Sequence, residues 1–230
     1  ITYAPLANFS FQSGGCAKVG VGFTDLSQQN GGGSIITWSW DFGDPASGVN
    51  NTSVLQNPSH AFSSGGTYTV NLFITNVEGC IDSISQDITI FDAPTAVYSA
   101  DTACFNFPTS FTDASTTGSG TITGWLWNFG DPASGGNNTS TLQNPTHTFT
   151  NIGTFNVLLT ATNSDGCTDD TTRQIAVNPR PVAMFEFSSA CVGFETVFTD
   201  LSIAPGSNIG SWFWDFGDGV GTSNVQNPIY

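Results

Sequence analysis

The chain has 230 residues and carries 18 acidic side chains against three basic ones, Lys18, Arg173 and Arg180, for a formal net charge of −15. That balance excludes a nucleic-acid surface and an anionic-membrane surface, and leaves divalent cations as the natural ionic partners. Charged residues make up only 9%, so the polarity comes from Ser, Thr, Asn and Gly, and no apolar run is long enough to span a membrane.

The elements predicted from the first part of the chain are all strands. Leu6–Phe11, Val19–Thr24, Ile36–Phe42, Ser59–Phe62, Thr67–Ile74 and Ser83–Ile90 are short, and several alternate large and polar residues, which is the period of a half-buried strand. In Ile36–Phe42 the alternation puts Trp38, Trp40 and Phe42 on one face. In Thr67–Ile74 the inward set is Tyr68, Val70, Leu72 and Ile74, and Phe73 faces out. No sustained helical period is present.

The same elements then return. Trp38-Ser39-Trp40-Asp41-Phe42-Gly43-Asp44 recurs as Trp125-Leu126-Trp127-Asn128-Phe129-Gly130-Asp131 and as Trp212-Phe213-Trp214-Asp215-Phe216-Gly217-Asp218. The interval is constant, 127 − 40 = 87 and 214 − 127 = 87, so the chain is an array of like units. The second unit's inward set is Phe155, Val157, Leu159 and Ala161, and Thr160 stands where Phe73 stands in the first. The units are expected at residues 5–91, 94–178 and 181–230, the last without its final two strands, and residues 1–4 are expected to end a preceding unit. The missing initiator Met and the cut ends suggest a window from a longer mature protein. Asp92-Ala93-Pro94 and Asn178-Pro179-Arg180-Pro181 are short proline-bearing links, which predict neighbours held end to end with limited bending. About seven short strands per unit describe an immunoglobulin-like β-sandwich.

The five cysteines fall into two sets. Cys16, Cys104 and Cys191 close the first strand of each unit, and Cys80 and Cys167 lie near the last loop. The expected pairing is Cys16–Cys80 and Cys104–Cys167, with the partner of Cys191 beyond residue 230. Each bridge would close a loop of about 60 residues, worth roughly 4 kcal/mol, and would imply an oxidising, extracellular setting. The competing reading is reduced, buried thiols. No Cys-x-x-Cys or Cys-His cluster points to zinc.

Trp-x-Trp-Asp-Phe-Gly-Asp, then Gln56-Asn57-Pro58-x-His60-x-Phe62, then Gly66-Thr67-Tyr68-Thr69-Val70, resembles the PKD (polycystic kidney disease) domain. The second unit repeats the order with Gln143-Asn144-Pro145-x-His147-x-Phe149 and Gly153-Thr154-Phe155-Asn156-Val157. The resemblance implies an all-β fold of tandem immunoglobulin-like sandwiches joined by short proline-containing linkers. It also implies an extracellular or cell-surface setting and a non-catalytic role as spacer, stalk, or protein or carbohydrate contact. Similar arrays with one disulfide per unit occur in large bacterial secreted and surface proteins, some associated with gliding motility. The third unit departs from the pattern with Gly219-Val220-Gly221 where the others have Pro-Ala-Ser-Gly.

The repeats test each candidate site. Asp41 and Asp215 give way to Asn128 in the middle unit, which a general acid or base would not tolerate, and Asp44, Asp131 and Asp218 read as anchors of the turn that follows the strand. Asp25, Asp113 and Asp200 recur as Phe-Thr-Asp and offer oxygens to calcium, although no Asp-x-Asp-x-Asp-Gly loop is present. His60 and His147 share a position that Tyr230 fills in the third unit, so packing is expected, not metal binding. No nucleophile–base pair and no phosphate loop suggests an enzyme or a cofactor. Asn8-Phe9-Ser10, Asn50-Asn51-Thr52-Ser53 and Asn137-Asn138-Thr139-Ser140 contain Asn-x-Ser/Thr sequons. Asp82-Ser83-Ile84, Asp101-Thr102-Ala103 and Asp170-Thr171-Thr172 resemble a bacterial O-glycosylation signal, with Ser83, Thr102 and Thr171 as acceptors. The leading expectation is a structural segment of a stalk or fibre, with like domains in cis and other copies as partners. The alternatives are an adhesin or carbohydrate- or protein-binding module, and a spacer beside a catalytic domain elsewhere.

Overall fold

The computed structural model describes residues 3–12 and 14–230, and it is all-β, with immunoglobulin-like sandwiches in tandem. The expectation that Ile1 and Thr2 end a preceding unit lies outside the described residues. The first unit comprises β1 (Phe9–Phe11), β2 (Gly15–Cys16), β3 (Gly20–Asp25), β4 (Ile35–Asp41), β5 (Thr52–Ser53), β6 (Ser59–Ala61), β7 (Gly66–Asn76) and β8 (Ile81–Phe91). They form a three-stranded sheet β1-β3-β6 facing a five-stranded sheet β2-β8-β7-β4-β5. The second unit repeats both with β9 (Tyr98–Ala100), β10 (Ala103–Cys104), β11 (Pro108–Asp113), β12 (Ile122–Asn128), β13 (Thr139–Ser140), β14 (Thr146–Thr148), β15 (Gly153–Asn163) and β16 (Thr168–Asn178). The third contains β17 (Phe185–Phe187), β18 (Phe198–Asp200), β19 (Trp214–Asp215) and β20 (Thr222–Ser223).

The alternating pattern decides the core. Trp40, Phe42, Val70, Leu72 and Ile74 are buried with Phe9, Phe23 and Phe62, and Trp127, Phe129, Val157 and Leu159 repeat the cluster around Tyr98 and Phe111. Phe73 on the opposite face of β7 is 51% exposed. In the third unit Phe185, Phe198, Trp214 and Phe216 keep the same ring contacts. They line an open groove of about 650 Å³, where β7 and β8 or β15 and β16 cover the counterpart surface in the first two units.

The Phe-Gly-Asp step has a steric cause. Gly43 has φ of +68°, and a Cβ there would lie 2.6 Å from the Thr69 carbonyl oxygen; Gly130 meets Asn156 in the same way at 2.4 Å. Only glycine fits that approach at that φ. After it comes a 3-10 segment, Pro45–Asn51 or Pro132–Asn138, which composition alone did not reveal.

The joint between units as candidate functional site

Two long strands set the poles of each sandwich. β2 runs parallel to the end of β8, with Cys16 in register with Phe91. Cys80 precedes β8 at its other end, 91 − 80 = 11 residues away. At a strand rise of about 3.3 Å, Cys16 and Cys80 are roughly 36 Å apart, far beyond the ~7 Å Cα limit for a disulfide. The expected Cys16–Cys80 pairing therefore fails. Cys104–Cys167 fails for the same reason, because Cys104 is in register with Asn178 at the far end of β16.

The structure instead joins Cys16 to Cys167, with Cα atoms 5.7 Å apart and 151 residues between them in sequence. The bridge crosses from the first unit to the second. It forms because the β15–β16 turn of the second unit seats on the C-terminal pole of the first, where β2 and β8 end.

Asn163, which is 2% exposed, organises that turn. Its Oδ1 accepts from the N–H groups of Asp165 (3.1 Å) and Cys167 (2.8 Å), and its Nδ2 donates to the Asp92 carbonyl at 3.0 Å. Asp92 in turn works in both directions. Its Oδ1 accepts from Gly65 N of the first unit at 2.6 Å, and its carbonyl also accepts from Ser119 Oγ of the second at 3.1 Å. Ser119 Oγ also lies 2.7 Å from Asp165 Oδ2. The same device stands at the start of the chain, where Asn76 Oδ1 accepts from Glu78 N and Cys80 N and its Nδ2 donates to the Tyr3 carbonyl at 3.2 Å. Sequence reasoning missed Asn76 and Asn163. The available signal was the recurrence of Asn-x-x-Gly-Cys, as Asn76-Val77-Glu78-Gly79-Cys80 and Asn163-Ser164-Asp165-Gly166-Cys167. At the second link Arg180 instead places its guanidinium 4.3 Å from the Phe107 ring centre.

The remaining candidates resolve into structural contacts. Asp25 Oδ1 accepts from Ser27 N, and its Oδ2 accepts from Trp38 Nε1 (2.8 Å) and Gln56 Nε2 (3.1 Å). Asp113 and Asp200 have the matching partners, Ser115, Trp125 and Gln143, and Ser202, Trp212 and Gln226. Burial pushes the Asp25 and Asp113 carboxyls up, but these donors outweigh it and hold both below the usual value. Asp200, which is half-buried, is held down to about 2, chiefly by Ser202. A carboxylate surrounded by N–H donors is set for hydrogen bonding, and no cluster of metal-ligating side chains occurs among the described residues.

Asp44 and Asp131 are not anchors of their own turn. Asp44 Oδ1 accepts from Ser63 Oγ (2.6 Å), and Oδ2 accepts from Ser63 N (2.8 Å) and lies 3.2 Å from His60 Nε2, so the carboxylate ties β4 to the end of β6. The local turn is held by Asp41, whose Oδ1 accepts from Gly43 N and Asn51 Nδ2, and Asn128 does the same with its amide oxygen. Only an acceptor oxygen is needed there, which is why Asp and Asn alternate. Asp218 alone accepts locally, from Val220 N and Gly221 N. His60 and His147 stack on Phe42 and Phe129 at 4.3 and 4.2 Å. Tyr230 stacks on Phe216 at 4.2 Å and donates its hydroxyl to Asp218, so ring and polar tip are both replaced. Ser83 and Thr102 are exposed, whereas Thr171 is half-buried opposite Leu159.

This arrangement of paired sheets, recurring Trp-x-Trp strands and repeating polar anchors is matched twice by the PKD domain family model, at residues 2–91 and 92–177. The chain belongs to the PKD domain family. It is similar to the PKD1 domain of Vibrio anguillarum Epp at 26% identity, over 39% of this chain and 96% of that one, with a TM-score of 0.33. The PKD1 domain of the Vibrio cholerae metalloprotease PrtV gives 28% identity over 38% and 98%, with a TM-score of 0.33. Fibronectin(III)-like modules of Clostridium thermocellum CbhA give 9% identity over 75% and 95%, with a TM-score of 0.36. Among the described residues, no helix is long and apolar enough to cross a membrane.

Proposed function

We propose that this PKD array is a tension-carrying segment of an extracellular stalk or fibre, of the kind found on bacterial surfaces. The carrying observation is the Cys16–Cys167 bridge, which fastens one sandwich to the next across the Asp92-Ala93-Pro94 link. A spacer that only separated two domains would not need its joints covalently closed. The bridge also supports an oxidising compartment outside the cytoplasm, and the net charge of −15 keeps parallel copies soluble. Small-angle scattering of the oxidised chain tests the reading: one extended, stiff particle is expected, and a compact or freely bending one would sink it.

A second reading, a protein- or glycan-binding module, draws on one outward rung of the larger sheet. Phe73 pairs with Ser39 there, Leu126 pairs with Thr160, and Phe213 stands at the same position in the third unit. These three side chains are 51%, 53% and 72% exposed. Binding on a glycan array that falls with Phe73→Ala would favour it.

A further inference from the structure

We propose that the Cys16–Cys167 bridge is a mechanical shunt: tension along the chain passes from residue 16 to residue 167 through sulfur, and residues 17–166 stay outside its path. The inference rests on the stalk reading above and adds how the stalk bears force. Pull applied at the two ends loads the segment up to Cys16, the bridge, and then β16 and the chain beyond. Both buried clusters, with Trp40 and Trp127 at their centres, lie almost wholly inside the protected loop. While the bridge is closed, separation of the sandwich layers can lengthen the molecule only by the strands outside the loop, β1 and β16.

The register extends the device along the array. Cys104 ends β10 against Asn178 as Cys16 ends β2 against Phe91, and Cys191 recurs 191 − 104 = 87 residues later. Both are thiols in the described chain. Where a complete unit follows, its Asn-x-x-Gly-Cys turn supplies their partners, and Cys80 occupies that turn position in the first unit. Each new bridge removes two electrons and two protons from a thiol pair. A protein disulfide oxidant accepts them through a mixed disulfide and leaves as the dithiol.

The consequence is geometric. Loops of 151 residues set every 87 overlap by 151 − 87 = 64, so no stretch of the array lies outside a bridge. Following one bridge to the next, the only backbone in the path is Cys167 to Cys191, 191 − 167 = 24 residues. Fully extended, that is about 80–85 Å. It serves two units whose 11-residue strands alone span roughly 36 Å each. A fully bridged array thus has almost no slack to release.

The test is single-molecule extension of the full chain held by its two ends. The oxidised protein is expected to give no length from residues 17–166. Cys16→Ser, or reduction of the wild-type chain while it is held under tension, is expected to add about 150 residues, roughly 500 Å. The reduction arm answers the question even if the substituted chain folds poorly. A gain on Cys16→Ser of only 79 − 16 = 63 residues would mean closure within the first unit and overturn the shunt, as would full unspooling of the oxidised wild type. An oxidised chain that resists extension but scatters as a bent particle would instead refute the stalk and leave the shunt standing.

Discussion

Breaking the bridge at either end should weaken both sandwiches at once. Consider the second unit unfolding while the first remains folded. Cys16 stays fixed beside Phe91, so the bridge closes a loop running from residue 91 to Cys167, 167 − 91 = 76 residues. In the chain-entropy treatment a loop of that size is worth roughly 4.5 kcal/mol. The converse, with the first unit unfolding against a folded second, closes a loop from Cys16 to the anchored Asp92 carbonyl, 92 − 16 = 76 residues, and is worth about the same. For a domain of this size about 1 kcal/mol moves the melting temperature by 4–8 °C. One bridge serves both openings and its closure entropy counts once for the pair, so Cys167→Ser should lower whichever transition comes first by roughly 20 °C, and Cys16→Ser should do likewise. Calorimetry measures the shifts, and peptide-resolved hydrogen exchange over 70–74 and 157–161 assigns them to units. Cys104→Ser should move neither. If Cys16→Ser lowered only the first unit and Cys104→Ser only the second, each bridge would close within its own unit and the reasoning would be wrong.

Four further outcomes are expected. Asp131→Ala removes a 1%-exposed carboxylate that accepts from Thr150 N and Oγ1 and contacts His147, leaving the Thr150 N–H unsatisfied; chemical denaturation should report a loss of about 4 kcal/mol in the second unit. Burial raises the Asp44 and Asp131 carboxyls, yet the Ser63 and Thr150 donors with His60 and His147 bring both below their ordinary value. Their stabilisation is therefore complete above the unfolded value near ~3.9 and fades as pH falls through the lower folded value, so melts taken downward from pH ~4 should show an acid limb that Asp44→Asn and Asp131→Asn flatten. Asn163→Ala deletes the hydrogen bond to the Asp92 carbonyl, two within the turn and those to Ser119; it should cost roughly 2–4 kcal/mol and broaden the interdomain distance distribution in scattering, and a destabilised but equally stiff chain would remove Asn163 from the joint. Calcium added to the chelated protein should leave the melting temperature unchanged, because N–H donors already occupy Asp25, Asp113 and Asp200; a rise that tracks free calcium would contradict this.

Much of the fold was legible because strand alternation and an 87-residue interval are properties of the chain alone. The inward sets of β7 and β15 follow directly from period two, and their residues Val70, Leu72, Ile74, Val157, Leu159 and Ala161 are fully buried. What failed was polarity. Cys16 and Cys80 each lie near a strand end, but sequence does not say which end of the sandwich a strand end occupies. That depends on β2 running parallel to β8, a pairing of only two residues, too short to leave a pattern. Asp44 was misassigned for a related reason. Its partners Ser63 and His60 are 19 and 16 residues away, and nothing local marks them. By contrast the interchange of Asp41 with Asn128, and of His60 with Tyr230, showed what each position requires, an acceptor oxygen at the first and a stacked ring at the second.

The placement of the cysteines argues for coupling as the purpose of the repeat. Two cysteines meant to staple one sandwich would sit within reach of each other, on facing strands. Here each unit puts one at its C-terminal pole, at the end of β2 or β10, and the other at its N-terminal pole, in the turn before β8 or β16. Cys16 finds its partner in the neighbouring unit. In an ordinary repeat array the stability is a sum of unit terms and weak contacts between neighbours, so any unit can open alone. A covalent bridge of roughly 4.5 kcal/mol in the neighbour term, comparable to the stability of a small domain, changes that balance. Opening either of the two bridged units then forfeits closure energy held jointly with the other. On the proposed reading the interval of 87 residues sets where that coupling would recur, and the opposite poles of the cysteines set its direction along the chain.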